Sequence, residues 1–108
     1  MIKNIREEDF ENEVLKSGKL CIVDFYATWC GPCQMLSPVI EEVSKLDSFK
    51  EVGFFKVDID GNDNLAIKYD VEVVPTIVFF KDGKNIKQEV GYKNKEELVK
   101  TIEKAKLS

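Results

Sequence analysis

A chain of 108 residues is one domain's worth of sequence, long enough to bury a single core and too short for two. Sixteen basic and twenty acidic residues give a net charge of −4 with the signs mixed, so no basic stripe points to nucleic acid. No apolar run approaches the ~18 residues of a membrane span, and the absence of histidine removes the commonest general base and every Cys/His zinc site.

The opening residues lack the apolar stretch of a secretory leader, which predicts a cytoplasmic, reducing setting. A weak strand is expected over residues 2–5. Phe10, Val14 and Leu15 share one face of a first helix, stopped by Gly18. Leu20 to Tyr26 is apolar except for Asp24, the pattern of a central strand covered on both faces. A second helix follows Cys30. Leu36, Val39, Ile40, Val43 and Leu46 recur at three- and four-residue spacing, while Glu41, Glu42 and Lys45 face away. Pro38 is expected to kink this helix near its first turn. A third strand spans 52–59, and Leu65, Ala66 and Tyr69 mark a short helix. Strands at 76–80 and 86–90 form a hairpin around Asp82-Gly83. Asn94 and Glu97 make a capping-box variant at the start of the last helix, whose buried stripe is Leu98, Ile102 and Ala105. Helices alternating with strands, then a hairpin, predict an α/β domain with a mixed sheet and helices on both faces.

The chemistry centres on Trp29-Cys30-Gly31-Pro32-Cys33, between the central strand and the second helix. A C-x-x-C pair is also half of a zinc site, but the other half is missing, because only Cys21 remains. The strand-to-helix position favours a redox pair. A thiol at a helix start meets unpaired N–H groups and the positive end of the helix dipole, which stabilise the thiolate. Cys30 at the helix entrance is therefore the expected attacker. Cys33 sits three residues on, above Leu36 and Ile40, and is expected to be more buried and to resolve the mixed disulfide. Gly31 and Pro32 permit a tight turn into the helix, at a position where proline's missing N–H costs nothing.

Other residues read two ways. Asp24 is either a hydrogen-bonded strand residue or, raised in pKa by burial, a proton acceptor near neutrality. Lys56 is a surface lysine or a partner for that carboxylate. Pro75 marks a strand start or edge. Trp29 is a core aromatic or an exposed contact beside the attacking thiol, and Gly91 is a turn glycine or part of that contact surface. Cys21, between Leu20 and Ile22, reads as a small core hydrophobe.

The run Asp24 to Cys33 resembles the active-site signature of the thioredoxin family. Lys56-Val57-Asp58-Ile59-Asp60, Val74-Pro75-Thr76 and Val90-Gly91 extend the resemblance over one domain, residues 1–108. The resemblance implies the thioredoxin fold, a central mixed five-stranded sheet flanked by four helices. It implies a protein-disulfide reductase with no bound cofactor or metal, whose redox group is the Cys30–Cys33 disulfide. That pair would be reset by a separate thioredoxin reductase. Asp24, held by Lys56, would take the proton of the resolving thiol. A cis bond between Val74 and Pro75 would pack against the disulfide. The docking surface for disulfide-containing proteins would comprise Trp29, Gly31, Pro32, Ile59, Val73, Val74, Pro75, Thr76 and Gly91. The protein is expected to act as a monomer, without nucleic acid or membrane. A disulfide oxidase or isomerase is the rival enzyme, but such relatives usually carry histidine between the cysteines. A binding subunit that uses the fold only as a scaffold is the rival from another class. Two positions depart from the common family pattern: Gln34, where many relatives have a cation, and Tyr26, where many have tryptophan.

Overall fold

Parallel and antiparallel pairing meet on one central strand in the computed structural model, which describes residues 2–108. The elements run β1 (Lys3–Asn4), α1 (Glu7–Phe10) continuing as a π-turn (Glu11–Leu15), β2 (Leu20–Tyr26), α2 (Gly31–Ser44) and a 3-10 turn (Asp47–Phe49). They continue with β3 (Gly53–Asp58), α3 (Asp63–Lys68), β4 (Thr76–Lys81), β5 (Lys84–Val90) and α4 (Lys95–Lys106). The sheet order is β1-β3-β2-β4-β5. β2 pairs in parallel with β3 and antiparallel with β4, and β4 and β5 form the hairpin. This is the expected mixed five-stranded sheet flanked by four helices.

Alternation along β2 divides the core into two layers. Leu20 and Ile22 point to one side, where they pack with Leu36, Ile40 and Val43 of α2 and Leu98 and Ile102 of α4. Cys21, Val23 and Phe25 point to the other side, among Phe10, Val14, Leu65 and Phe80. Each fully buried aliphatic side chain contributes about 1.5–3 kcal/mol. Asp24 continues the Leu20–Ile22 face, so the strand's period places its carboxylate under α2. The last helix has the full capping box: Asn94 Oδ1 accepts from the Glu97 N–H at 2.9 Å, and Glu97 Oε1 accepts from the Asn94 N–H at 3.0 Å.

Some details differ from the sequence expectations. β1 keeps only two residues, paired with β3 at Lys3–Phe55 and Asn4–Lys56. The first helix widens into a π-turn, with the Lys16 N–H bonded to the Glu11 carbonyl at 2.9 Å. α2 continues through Pro38, which closes its second turn rather than its first. Proline removes only the bond to the Gln34 carbonyl, and the buried Leu36–Ile40–Val43 stripe holds the helix against the sheet.

Candidate active site

β2 ends at Tyr26, and four residues later the chain turns into α2 with Cys30 as its N-cap. Cys30 has extended backbone angles (φ −97°, ψ 117°), and its Sγ accepts the Cys33 N–H at 3.2 Å. A sulfur therefore occupies the place where a capping oxygen usually satisfies an orphan helix donor. Pro32 lies in the first turn, where no intrahelical N–H is lost. The Cys30 and Cys33 sulfurs are joined in a disulfide, with Cα atoms 5.3 Å apart. The N–H and the positive end of α2 both favour negative charge on the Cys30 sulfur once the bond is reduced.

Both cysteines are largely covered, Cys30 at 6% exposure and Cys33 at 3%. The exposure expected for Cys30 at the helix entrance is therefore small. Trp29, Val74 and Ile59 close around it because the loop before β4 folds back over the helix start. What separates the two sulfurs is the space each one faces.

Cys33 faces a cavity of about 220 Å³, lined also by Asp24, Tyr26, Thr28, Gln34, Ser37 and Lys56. Asp24 is 1% exposed, and its Oδ1 accepts no hydrogen bond. Burial pushes its pKa from the ordinary 3.8 up to about 7, with the Lys56 charge opposing the rise. The two residues are register partners on the adjacent parallel strands β2 and β3, so their side chains share a face. The Lys56 ammonium does not bond the carboxylate. It donates to Ser37 Oγ at 3.5 Å and lies 4.5 Å from the centroid of the Tyr26 ring. The Tyr26 hydroxyl accepts in turn from Asn4 Nδ2 at 2.9 Å. Gln34, where a cation was noted as missing, donates through Nε2 to the Thr28 carbonyl at 3.1 Å and tethers α2 to the loop before it.

Cys30 faces an apolar groove of about 460 Å³, whose walls include Trp29, Gly31, Pro32, Ile59, Val73 and Val74. The Cys30 sulfur is 3.6 Å from the Val74 carbonyl oxygen, and the Val74–Pro75 peptide bond is cis. Trp29 is 68% exposed, and its Nε1 donates to Asp60 Oδ2 at 3.0 Å. Three residues expected on the docking surface, Pro75, Thr76 and Gly91, lie outside the groove walls. Thr76 is buried, with Oγ1 donating to the Val73 carbonyl at 2.6 Å, which shapes the turn before β4. Gly91 has φ +95°, a conformation that favours glycine, and its N–H donates to the Pro75 carbonyl at 2.8 Å. Pro75 therefore joins the β4 edge to the end of β5.

Sequence reasoning missed several contributors. Asn62 is buried, with Oδ1 accepting from the Glu7 N–H and Nδ2 donating to the Asp58 carbonyl, both at 2.8 Å. It anchors the turn that presents Asp60 to Trp29. Ser37 and Glu72 also escaped notice, since an isolated Ser or Glu carries no local signal. The run of Asp and Asn after Ile59 was the available clue to a tight, functional turn. Cys21 lies on the far side of the sheet from Asp24, fully buried, with its Sγ 3.2 Å from Ser17 Oγ. Burial pushes its thiol pKa upward.

A family model described as Thioredoxin matches residues 1–104. The chain is 42% identical over 102 residues to a thioredoxin of Rickettsia bellii, covering 94% of this chain and 96% of that one. It is 39% identical over 104 residues to a thioredoxin of Chlamydia trachomatis, covering 96% and 98%. A crystal structure of thioredoxin from Malassezia sympodialis superposes with a TM-score of 0.87 at 36% identity, covering 96% of this chain and 90% of that one. Sequence, fold and the cysteine pair at the head of α2 agree: the chain belongs to the thioredoxin family and is a thiol-disulfide oxidoreductase.

Proposed function

We propose that Cys30 attacks protein disulfides, Cys33 resolves the mixed disulfide, and Asp24 with Lys56 manages the proton between them. The observation that carries this reading is the division of the site. Cys30 borders an apolar groove suited to an extended polypeptide, and Cys33 borders a separate, smaller cavity that holds the Asp24 carboxyl group.

The Cys30 thiolate attacks one sulfur of the substrate disulfide. A Cys30–substrate bond forms, the substrate S–S bond breaks, and one substrate thiolate leaves. Asp24 takes the proton of the Cys33 thiol, for which its pKa of about 7 is suited near neutrality. The Cys33 thiolate then attacks Cys30, closing the intramolecular disulfide and releasing the second substrate thiolate. Two electrons pass to the substrate, and its two leaving sulfurs take up protons. The groove guides the substrate chain past Cys30, with the Val74 backbone and Trp29 as contacts. Thr76 and Gly91 support that wall through the Val73 and Pro75 carbonyls. The cysteine pair is the whole redox group, with no bound cofactor. A separate thioredoxin reductase restores the dithiol, and a reducing, cytoplasmic compartment suits that direction. The protein works as a monomer.

The assignment is tested by incubating the reduced Cys33→Ser and Cys30→Ser variants with a disulfide-containing protein and resolving the products by non-reducing mass spectrometry. Cys33→Ser is expected to accumulate a covalent adduct through Cys30, and Cys30→Ser to form none. Adducts on Cys33 of the Cys30→Ser variant at a comparable rate would reverse the roles.

A further inference from the structure

Among the described residues, Glu72 is the one charged side chain lining the Cys30 groove, and it is exposed at the rim beside Val73. The stretch that carries it, residues 58–72, contains Asp58, Asp60, Asp63, Asp70 and Glu72 against a single cation, Lys68. Its net charge of −4 equals that of the whole chain, so the remaining residues balance. The excess charge therefore sits on the segment that also supplies Ile59 to the groove wall.

Nothing nearby cancels it. Among the described residues, no ion pair involves any of these five carboxylates. Lys68 lies 5.5 Å from the Tyr69 ring centroid. On the opposite wall, Thr28 to Met35 carries no charge. The groove thus joins a reactive sulfur and an apolar floor to one negative edge. A segment crossing Cys30 gains from apolar contact on the floor and from a cation at that edge. The attraction reaches about 8–10 Å at ordinary salt, which spans the first residues flanking a docked cysteine.

We propose that this protein prefers disulfides flanked by lysine or arginine, with Glu72 receiving the cation. The inference rests on Cys30 being the attacking thiol. Glu72 acts here as a specificity-determining residue, selecting the substrate without taking part in the exchange.

The test uses the reduced protein and three peptide disulfides that differ only in a Lys, Ser or Glu beside the cysteine. Each rate is divided by the rate with dithiothreitol, which removes the intrinsic effect of the flank on the leaving thiol. The expected order is Lys, then Ser, then Glu, with steps on the order of two- to fivefold, as for exposed charge pairs. The steps shrink in Glu72→Gln, reverse between Lys and Glu in Glu72→Lys, and fade toward 1 M salt. Equal normalised rates for the three peptides, or an order that Glu72→Lys leaves intact, would overturn the inference alone. Failure to reduce even the Ser-flanked peptide would overturn the reductase assignment, and this inference with it.

Discussion

Replacing Asp24 by Asn should flatten the pH dependence of stability between pH 5 and 8. The carboxyl is 1% exposed, accepts no hydrogen bond at Oδ1, and has its pKa pushed from 3.8 up to about 7. The folded protein therefore binds a proton that the unfolded chain releases, and folding is favoured where that proton is held. The stabilisation is fully present below the unfolded value of 3.8 and is lost as the pH rises through the folded value near 7. At about 1.4 kcal/mol for each pH unit separating the two values, the whole window amounts to about 4 kcal/mol. Between pH 5 and 8 the loss is about 2.5 kcal/mol. The oxidised form should be used, so that Cys30 and Cys33 do not titrate, and the raised pKa of Cys21 keeps that thiol neutral in this range. Asn brings its own cost for a buried amide, but that cost is independent of pH. Urea unfolding at pH 5, 6, 7 and 8 measures both proteins. Wild type is expected to lose about 2.5 kcal/mol more than Asp24→Asn across the series. Parallel curves would refute the claim that Asp24 is held neutral by burial, whatever their offset.

Two further perturbations test the surroundings. Lys56→Met removes the charge that opposes protonation of Asp24, so the carboxyl should titrate above its wild-type midpoint. Tyr26→Leu should produce part of the same upward shift by freeing the ammonium, whereas Tyr26→Phe, which keeps the ring face, should not. Carbon NMR of the Asp24 carboxyl reports the midpoint directly, and an unshifted Lys56→Met would remove Lys56 from the account. At the other end of the molecule, Asn94→Ala breaks the capping box of α4 and should cost about 1 kcal/mol in urea unfolding while leaving the disulfide-reduction rate unchanged. No loss of stability would mean that the cap is idle.

Much of this protein is written locally. The apolar run of β2, the three- and four-residue spacing of α2, the Asp82-Gly83 hairpin and the Asn94 cap each depend on neighbours a few residues away. The cysteine spacing belongs with them, because a helix start brings residues 30 and 33 together whatever surrounds it. The sequence also flagged Asp24, as a carboxyl in an apolar strand, and its period already decides that Asp24 shares a face with Ile22.

Tertiary structure alone decided what stands beside those groups. Lys56 meets Asp24 only because β2 and β3 pair in parallel in one register, across a connection that contains α2. A slip of one residue would send the ammonium to the opposite face. Cys30 lost most of its exposure because the Val73–Pro75 turn, more than forty residues away in the chain, folds over it. Placing Glu72 on the groove wall, and anchoring the Asp60 turn through Asn62 to the Glu7 N–H, likewise depend on chain crossings that no short window encodes. Register and crossover are set by both core layers packing at once. The chemistry of the cysteine pair was therefore legible residue by residue, whereas the two different spaces that the sulfurs face emerged only when the sheet was assembled.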